Sequence, residues 1–227
     1  MDRNSRFSLT TAAAAAGVLA LAVCNLAQGP PALSRLPPAA RQGQVSLEAA
    51  LAKRRSVRDF KAQALSREQI AQLCWAAQGI SDPEKGLRTC PSAGALYPLE
   101  LYVVTREGVE RYVPSRHAME RHLTGDLRAR LQAAALKQSS IGRAPATFVI
   151  TAVVSRTSAK YGARAQRYVL LEVGHAAQNL LLQATTLGLG AVPVGAFEDR
   201  AVSAALSLPG DRSVLYLVPV GVPAERD

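Results

Sequence analysis

The sequence predicts one domain that mixes strands with helices and is organised around a single long helix. Three observations predict it. From about Ala163 to Leu187, apolar residues recur around the whole helical circumference, at Leu170, Val173, Ala177, Leu180, Leu181 and Ala184, so this helix is expected to be central and buried. Three β-rich runs, Leu99–Thr105, Thr147–Val154 and Val214–Val220, alternate with helical stretches. The chain has 227 residues, of which 48% are hydrophobic, enough core for one sizeable domain with a short extension and too apolar for global disorder.

In chain order, the first segment reads as an address rather than as fold. Arg3 and Arg6 precede an apolar run from about Thr11 to Val23, the pattern of an export signal. The run is short for a membrane-spanning helix, which needs roughly 20 apolar residues. Asn4-Ser5-Arg6-Phe7-Ser8-Leu9 resembles a twin-arginine export signal with a single arginine, and Leu21-Ala22-Val23-Cys24 resembles a lipoprotein box. Residues 1–27 are therefore expected to be an export signal or membrane anchor, with the protein periplasmic or in the cell envelope and touching membrane only through this segment. A plain N-terminal helix on a cytoplasmic protein is the alternative. Residues 28–45, rich in Pro, Ala and Gly, read as a linker, and the folded domain is expected over 46–227.

Ser46 to Lys53 reads as a short helix with Ser46 as N-cap. Ser66 opens a second: Ser66 and Gln69 have capping-box spacing, and Ile70, Leu73 and Ala77 follow at helical intervals. Leu99–Thr105, bounded by Pro98, reads as a strand, and Asp126 starts a helix reaching about Lys137. Thr147–Val154 is nearly all β-branched or apolar, as in a strand covered on both faces. Gly188 and Gly190 stop the long helix, Asp199–Leu206 forms another, and Val214–Val220 is a last strand.

The net charge of +10 favours anionic partners, but the basic residues are scattered without aromatic interleaving, so no nucleic-acid partner is expected. Cys24, Cys74 and Cys90 show no C-x-x-C spacing and no companion His cluster, and no metal site is expected. Cys74, beside Trp75, reads as a buried thiol.

Three segments have the composition of a ligand cradle. In Arg54-Arg55-Ser56-Val57-Arg58-Asp59-Phe60, alternation in an extended chain would put Arg54, Ser56 and Arg58 on one side, where guanidinium forks and a hydroxyl suit phosphate oxygens. Read alone, it also fits a basic surface turn. In Pro91-Ser92-Ala93-Gly94-Ala95-Leu96-Tyr97-Pro98, small residues let a flat ligand approach the backbone; a tight loop entering the next strand is the alternative. Leu187-Gly188-Leu189-Gly190-Ala191-Val192-Pro193-Val194-Gly195-Ala196-Phe197 follows the long helix. It fits either a ligand wall or a helix stop and strand, and it is no dinucleotide fingerprint, because its G-x-G follows a helix rather than opening one.

Together these segments resemble the nitroreductase family, and P-S-x-G-x-x-Y-P followed by L-E-L-Y-V-V resembles its SagB-type dehydrogenase branch. Arg111-Tyr112-Val113-Pro114 with His117, Ala144-Pro145-Ala146, Lys160-Tyr161 and Val220-Gly221-Val222-Pro223 extend the likeness over about Ser46 to Arg226. The resemblance implies an α+β fold with a mixed sheet flanked by helices, a homodimer, FMN at the subunit interface, and hydride chemistry there. It implies that Arg54, Arg55, Ser56 and Arg58 hold the phosphate and ribityl chain, with Arg226 adding a phosphate contact. Pro91, Ser92, Ala93 and Gly94 would meet the ring or its partner-side edge, and Pro193, Val194 and Gly195 would lie along it. Lys160-Tyr161 matches the catalytic pair of the azoline-oxidising members, where a base removes a proton as hydride leaves. The expected function is an FMN-dependent oxidoreductase acting on a small organic or peptide substrate, with NAD(P)H as one candidate electron donor; the alternative is an exported flavin- or ligand-binding protein without turnover.

Overall fold

A computed structural model describes residues 33–224; the segment read as an export signal and Arg226 lie outside the described residues. Among the described residues, seven strands form one sheet in the order β1-β6-β5-β4-β7-β9-β8: β1 Leu33–Arg35, β4 Leu99–Thr105, β5 Gly108–Val113, β6 Ala118–Thr124, β7 Ala146–Ala152, β8 Gly190–Ala191 and β9 Ser213–Gly221. Strands β2 Ile80–Asp82 and β3 Leu87–Arg88 make a separate hairpin. Every pairing within the large sheet is antiparallel, and a single bridge between Ser56 and Ala191 adds a parallel contact at its edge.

Helices cover both faces. Leu99, Leu101 and Val103 of β4 point into a core shared with α2 (Arg67–Gln78) and α6 (Ala165–Thr186). Tyr102 and Val104, on the alternate positions, point into a second core with α3 (Arg128–Ala134), α4 (Ser139–Arg143) and α7 (Asp199–Ala205). That two-sided cover is why β7 is buried at all seven positions and reads as a nearly continuous β-branched and apolar run. Local chemistry sets the helix starts. Ser46 caps α1 (Leu47–Lys53) by accepting the Ala49 N–H at 3.2 Å, and Ser66 and Gln69 form the reciprocal capping box that opens α2. Gly188, at φ 70°, ends α6 with the Leu189 N–H returning to the Ala184 carbonyl.

The structure corrects the sequence reading in four places. The strand expected over Thr147–Val154 ends at Ala152, and Val154–Tyr161 forms a helix, α5, although its β-branched and hydroxyl residues are weak helix formers. Part of the stretch read as a linker belongs to the domain: Leu33–Arg35 pair with β6, and Leu36, 7% exposed, enters the core. β5 and β6 carry no apolar run because their charges pair across the sheet, Arg111 with Glu120 and Arg121 with Glu110. Finally, α6 is buried along one face rather than around its circumference, since Leu170 and Leu171 are each 52% exposed.

Candidate active site

The segments singled out in the sequence assemble as two groups. One gathers where Ala146, Val220 and Ala191 lie side by side, at the end of the sheet reached by Thr105. There the Val57 N–H donates to the Ala191 carbonyl at 3.0 Å, and Val57 packs where Gly190 lacks a side chain; a Cβ there would fall 2.6 Å from Val57 Cβ. Gly190 is thus small because the arginine segment lies against it. With Val57 turned onto β8, alternation turns Ser56 and Arg58 the other way. Arg55 is engaged on its own helix, donating to the Ala52 and Arg54 carbonyls at the C-terminal end of α1. Arg54 is half-buried and Arg58 exposed, so two guanidinium groups and one hydroxyl remain on an accessible edge. The chain beyond β9 holds the segment from its other side, with Lys61 N–H on the Val222 carbonyl and Ala224 N–H on the Asp59 carbonyl. From Ala191, the Pro193–Gly195 stretch runs along β9, and Val194 bridges Leu217. Gly195 is exposed, with open space beside it apart from the Tyr216 ring.

The other group gathers at the opposite end, where Leu99, Ala152 and Ser213 are neighbours. Seven-residue strands put the two ends about 20 Å apart. Pro91 is exposed here and precedes a tight turn in which Gly94 takes φ 62°. A Cβ on Gly94 would fall 2.8 Å from Tyr161 Oη and 3.0 Å from Lys160 Nζ. The turn that enters β4 and the last residues of α5 therefore meet at one glycine. Tyr161 stacks edge-on against Tyr168, and the Lys160 ammonium lies 5.4 Å from the Tyr161 ring centre. The turn's base is held by Arg88, which stacks on the Tyr97 ring at 4.5 Å while its N–H donates to Tyr97 Oη.

This combination of a basic edge with a glycine turn facing a Lys–Tyr pair is accompanied by a match to the nitroreductase family model over residues 51–222. The chain belongs to the nitroreductase family. That family is generally one of FMN-dependent oxidoreductases. A protein of Methanocaldococcus jannaschii named as a nitroreductase is 45% identical over 184 residues, 78% of this chain and 91% of the relative. A crystal structure of a Ralstonia eutropha protein, also named as a nitroreductase, superposes with a TM-score of 0.77 at 28% identity, covering 87% of this chain and 94% of the other. The fold is also that of a chain in the Escherichia coli microcin synthetase McbBCD complex with truncated pro-MccB17 bound, at TM-score 0.68 and 24% identity, over 77% of this chain and 70% of that chain.

Sequence reasoning missed Glu172. It is 4% exposed, and its Oε1 accepts from both Ser92 Oγ at 3.0 Å and the Ala93 N–H at 2.9 Å. Burial raises its proton affinity above the ordinary carboxylate level, while those two donors, His175 and Arg88 pull it back. The signal was present: Glu172 shares the buried stripe of Val169, Val173 and Ala176, where an acid is out of place. Arg156 was missed too; it ties α5 to β4 by pairing with the buried Glu100, which Arg212 also binds at 3.1 Å.

Proposed function

We propose that this nitroreductase is an FMN-dependent oxidoreductase of the SagB type, moving hydride to or from a small organic or peptide substrate. The observation that carries the reading is the meeting of Lys160 Nζ and Tyr161 Oη at the side-chain-free Gly94. The residues present fit FMN. Arg54, Ser56 and Arg58 would hold its phosphate by charge-assisted hydrogen bonds, and the exposed, open backbone at Gly195 leaves room for a flat ring beside Pro193 and Val194. Bound FMN would supply the hydride chemistry that no side chain provides.

The remaining work falls to the chain's own groups. Lys160 would take a proton at Nζ from the substrate, and the Tyr161 hydroxyl would orient the substrate's polar edge. Lysine serves as a base once burial or a neighbouring cation lowers its proton affinity. Lys160 is exposed on the single chain, and we assign its burial to a second protomer. A homodimer also joins what one chain keeps apart, because the phosphate edge of one protomer and the Gly94 turn of its partner can then face one ligand. NAD(P)H, or the organic substrate itself, would be the electron donor.

The test begins with the visible spectrum of the purified protein, expected to show bound flavin. Stopped-flow reduction then compares Lys160→Ala with the wild type, using NADH and an azoline-containing peptide. The variant should lose about 10²–10⁴-fold with the azoline and little with NADH, since a base assists only the proton-bearing donor. A wild-type protein that takes up no FMN overturns the whole reading; equal rates in the two proteins remove Lys160 alone.

A further inference from the structure

A buried carboxylate is unfavourable unless donors meet it. The two donors that meet Glu172 Oε1 both come from the turn before β4, Ser92 Oγ and the Ala93 N–H. Ser92 Oγ accepts the Tyr97 N–H in return at 2.8 Å, which closes the turn on itself. Cys90 Sγ lies 3.6 Å from the Glu172 carbonyl oxygen, a further tie to the same helical position.

The turn so held is strained. Ala95 at φ 53° and Tyr97 at φ 46° occupy the left-handed region beside Gly94, a conformation unfavourable for residues with a side chain. Such strain persists only where the surroundings over-determine it. Hydrogen-bond arithmetic then limits what the turn offers a ligand. Serine has one hydroxyl hydrogen, and here it is directed to Glu172, as is the Ala93 N–H. What the turn presents outward is Gly94, exposed and set against Lys160 and Tyr161.

We propose that Glu172 is the positioning residue of this site: it draws the Ser92 hydroxyl and the Ala93 amide inward, and so presents Gly94 to a substrate held beside Lys160 and Tyr161. The role rests on the function proposed above, and Glu172 acts through the turn without touching the substrate. Arg88, Cys90 and His175 are the ionisable groups that bear on its charge. In either protonation state one oxygen can accept both hydrogen bonds. Glutamine, with the same reach and one carbonyl oxygen, is therefore the substitution that preserves the anchor.

Amide hydrogen exchange on the full chain without ligand reads the anchor directly. Glu172→Ala is expected to speed exchange of the Ala93 amide at least about tenfold while β4 and α6 amides keep wild-type protection. Glu172→Gln is expected to keep Ala93 protected. Unchanged Ala93 exchange in Glu172→Ala overturns the proposal. If that variant exchanges throughout, Glu172→Asp decides: one methylene shorter, it should still fold yet leave the Ala93 amide exchanging faster, and an unchanged Ala93 amide overturns the proposal. With FMN loaded, Glu172→Ala should lower kcat at least about tenfold with KM within about threefold, and Glu172→Gln should restore it. An alanine variant at wild-type kcat, or a glutamine variant as slow as alanine, also overturns it. A wild-type protein that binds no FMN defeats the function proposed above, while the exchange result still judges the anchor.

Discussion

Cys90 sits at the root of the Gly94 turn, 1% exposed, and its thiol is pushed up to about 12 by burial and by the Glu172 charge. A thiol held protonated is a poor nucleophile, so Cys90 is packing and a weak donor rather than chemistry. Cys90→Ala is expected to leave turnover within about twofold and to cost roughly 1 kcal/mol for one buried heavy atom. Native protein should also resist alkylation at this position at pH 8. A tenfold fall in turnover with flavin still bound would give the thiol a role in the reaction. At this scale the sequence was informative where chemistry is carried by residue type. Arg54, Ser56, Arg58 and Gly94 could be singled out as ligand candidates, because guanidinium groups, a hydroxyl and a missing side chain announce what they offer, whereas Lys160 and Tyr161 were named only through the family resemblance. What it did not disclose is who holds them. Glu172 lies 80 residues from Ser92 in the chain, and no spacing rule brings them together. Gly190 was legible as small, yet the reason is Val57, a packing partner more than 130 residues away.

Elements were legible when their own residues specified them. Ser46 and the Ser66–Gln69 box start helices by bonds made within one turn, and β4 and β7 announce themselves by runs of β-branched and apolar residues. Elements specified by neighbours were not. α5 is helical because it docks on α6 and is pinned through Arg156 to Glu100, and both contacts are tertiary. β5 and β6 pair charge with charge, and β1 has only three residues and no buried one. The β1 segment nevertheless belongs to the fold. It pairs with β6, Leu36 enters the core, and its N–H donates to the His117 carbonyl. Further along, His117 Nε2 lies 2.8 Å from the Pro37 carbonyl, and Ala40 exchanges hydrogen bonds with Gln72. A chain beginning at Gln44 loses all of these. Compared with a chain beginning at Leu33, it is expected to be about 3–5 kcal/mol less stable, a fall in Tm on the order of 10 °C. Equal melting temperatures would return residues 33–43 to the role of a linker.

Over the whole molecule, the two groups of candidate site residues lie at opposite ends of the sheet. The arginine edge lies where β8 pairs with Gly221 and Val220, and the Gly94 turn lies beyond Leu99 and Ala152, with the length of the sheet between. No side chain spans about 20 Å. On the proposed function a second copy would bridge the gap, and the surface offers a face for it. Leu47 and Leu51 on α1 are 60% and 52% exposed, Leu170 and Leu171 on α6 are each 52% exposed, and the two helices pack against one another. Four large apolar side chains on adjoining helices are more than scattered surface leucines need be. A twofold contact between copies of this face would cover them and bring a second set of site residues to each protomer. Each half-exposed leucine so covered contributes roughly 1 kcal/mol. Replacing Leu170 and Leu171 by glutamate removes that contribution and forces two carboxylates into the contact. The double variant is expected to shift the dimer–monomer equilibrium at least about a hundredfold toward monomer in sedimentation. Its helix content should be unchanged, since neither residue enters the core of its own chain. Flavin retention should fall in step with the dimer fraction if, as proposed, each site takes residues from both copies. A monomeric variant that keeps wild-type flavin affinity would show that one protomer closes its own site, and a wild-type protein that sediments as a monomer would remove the partner from both the burial of Lys160 and the joining of the two half-sites.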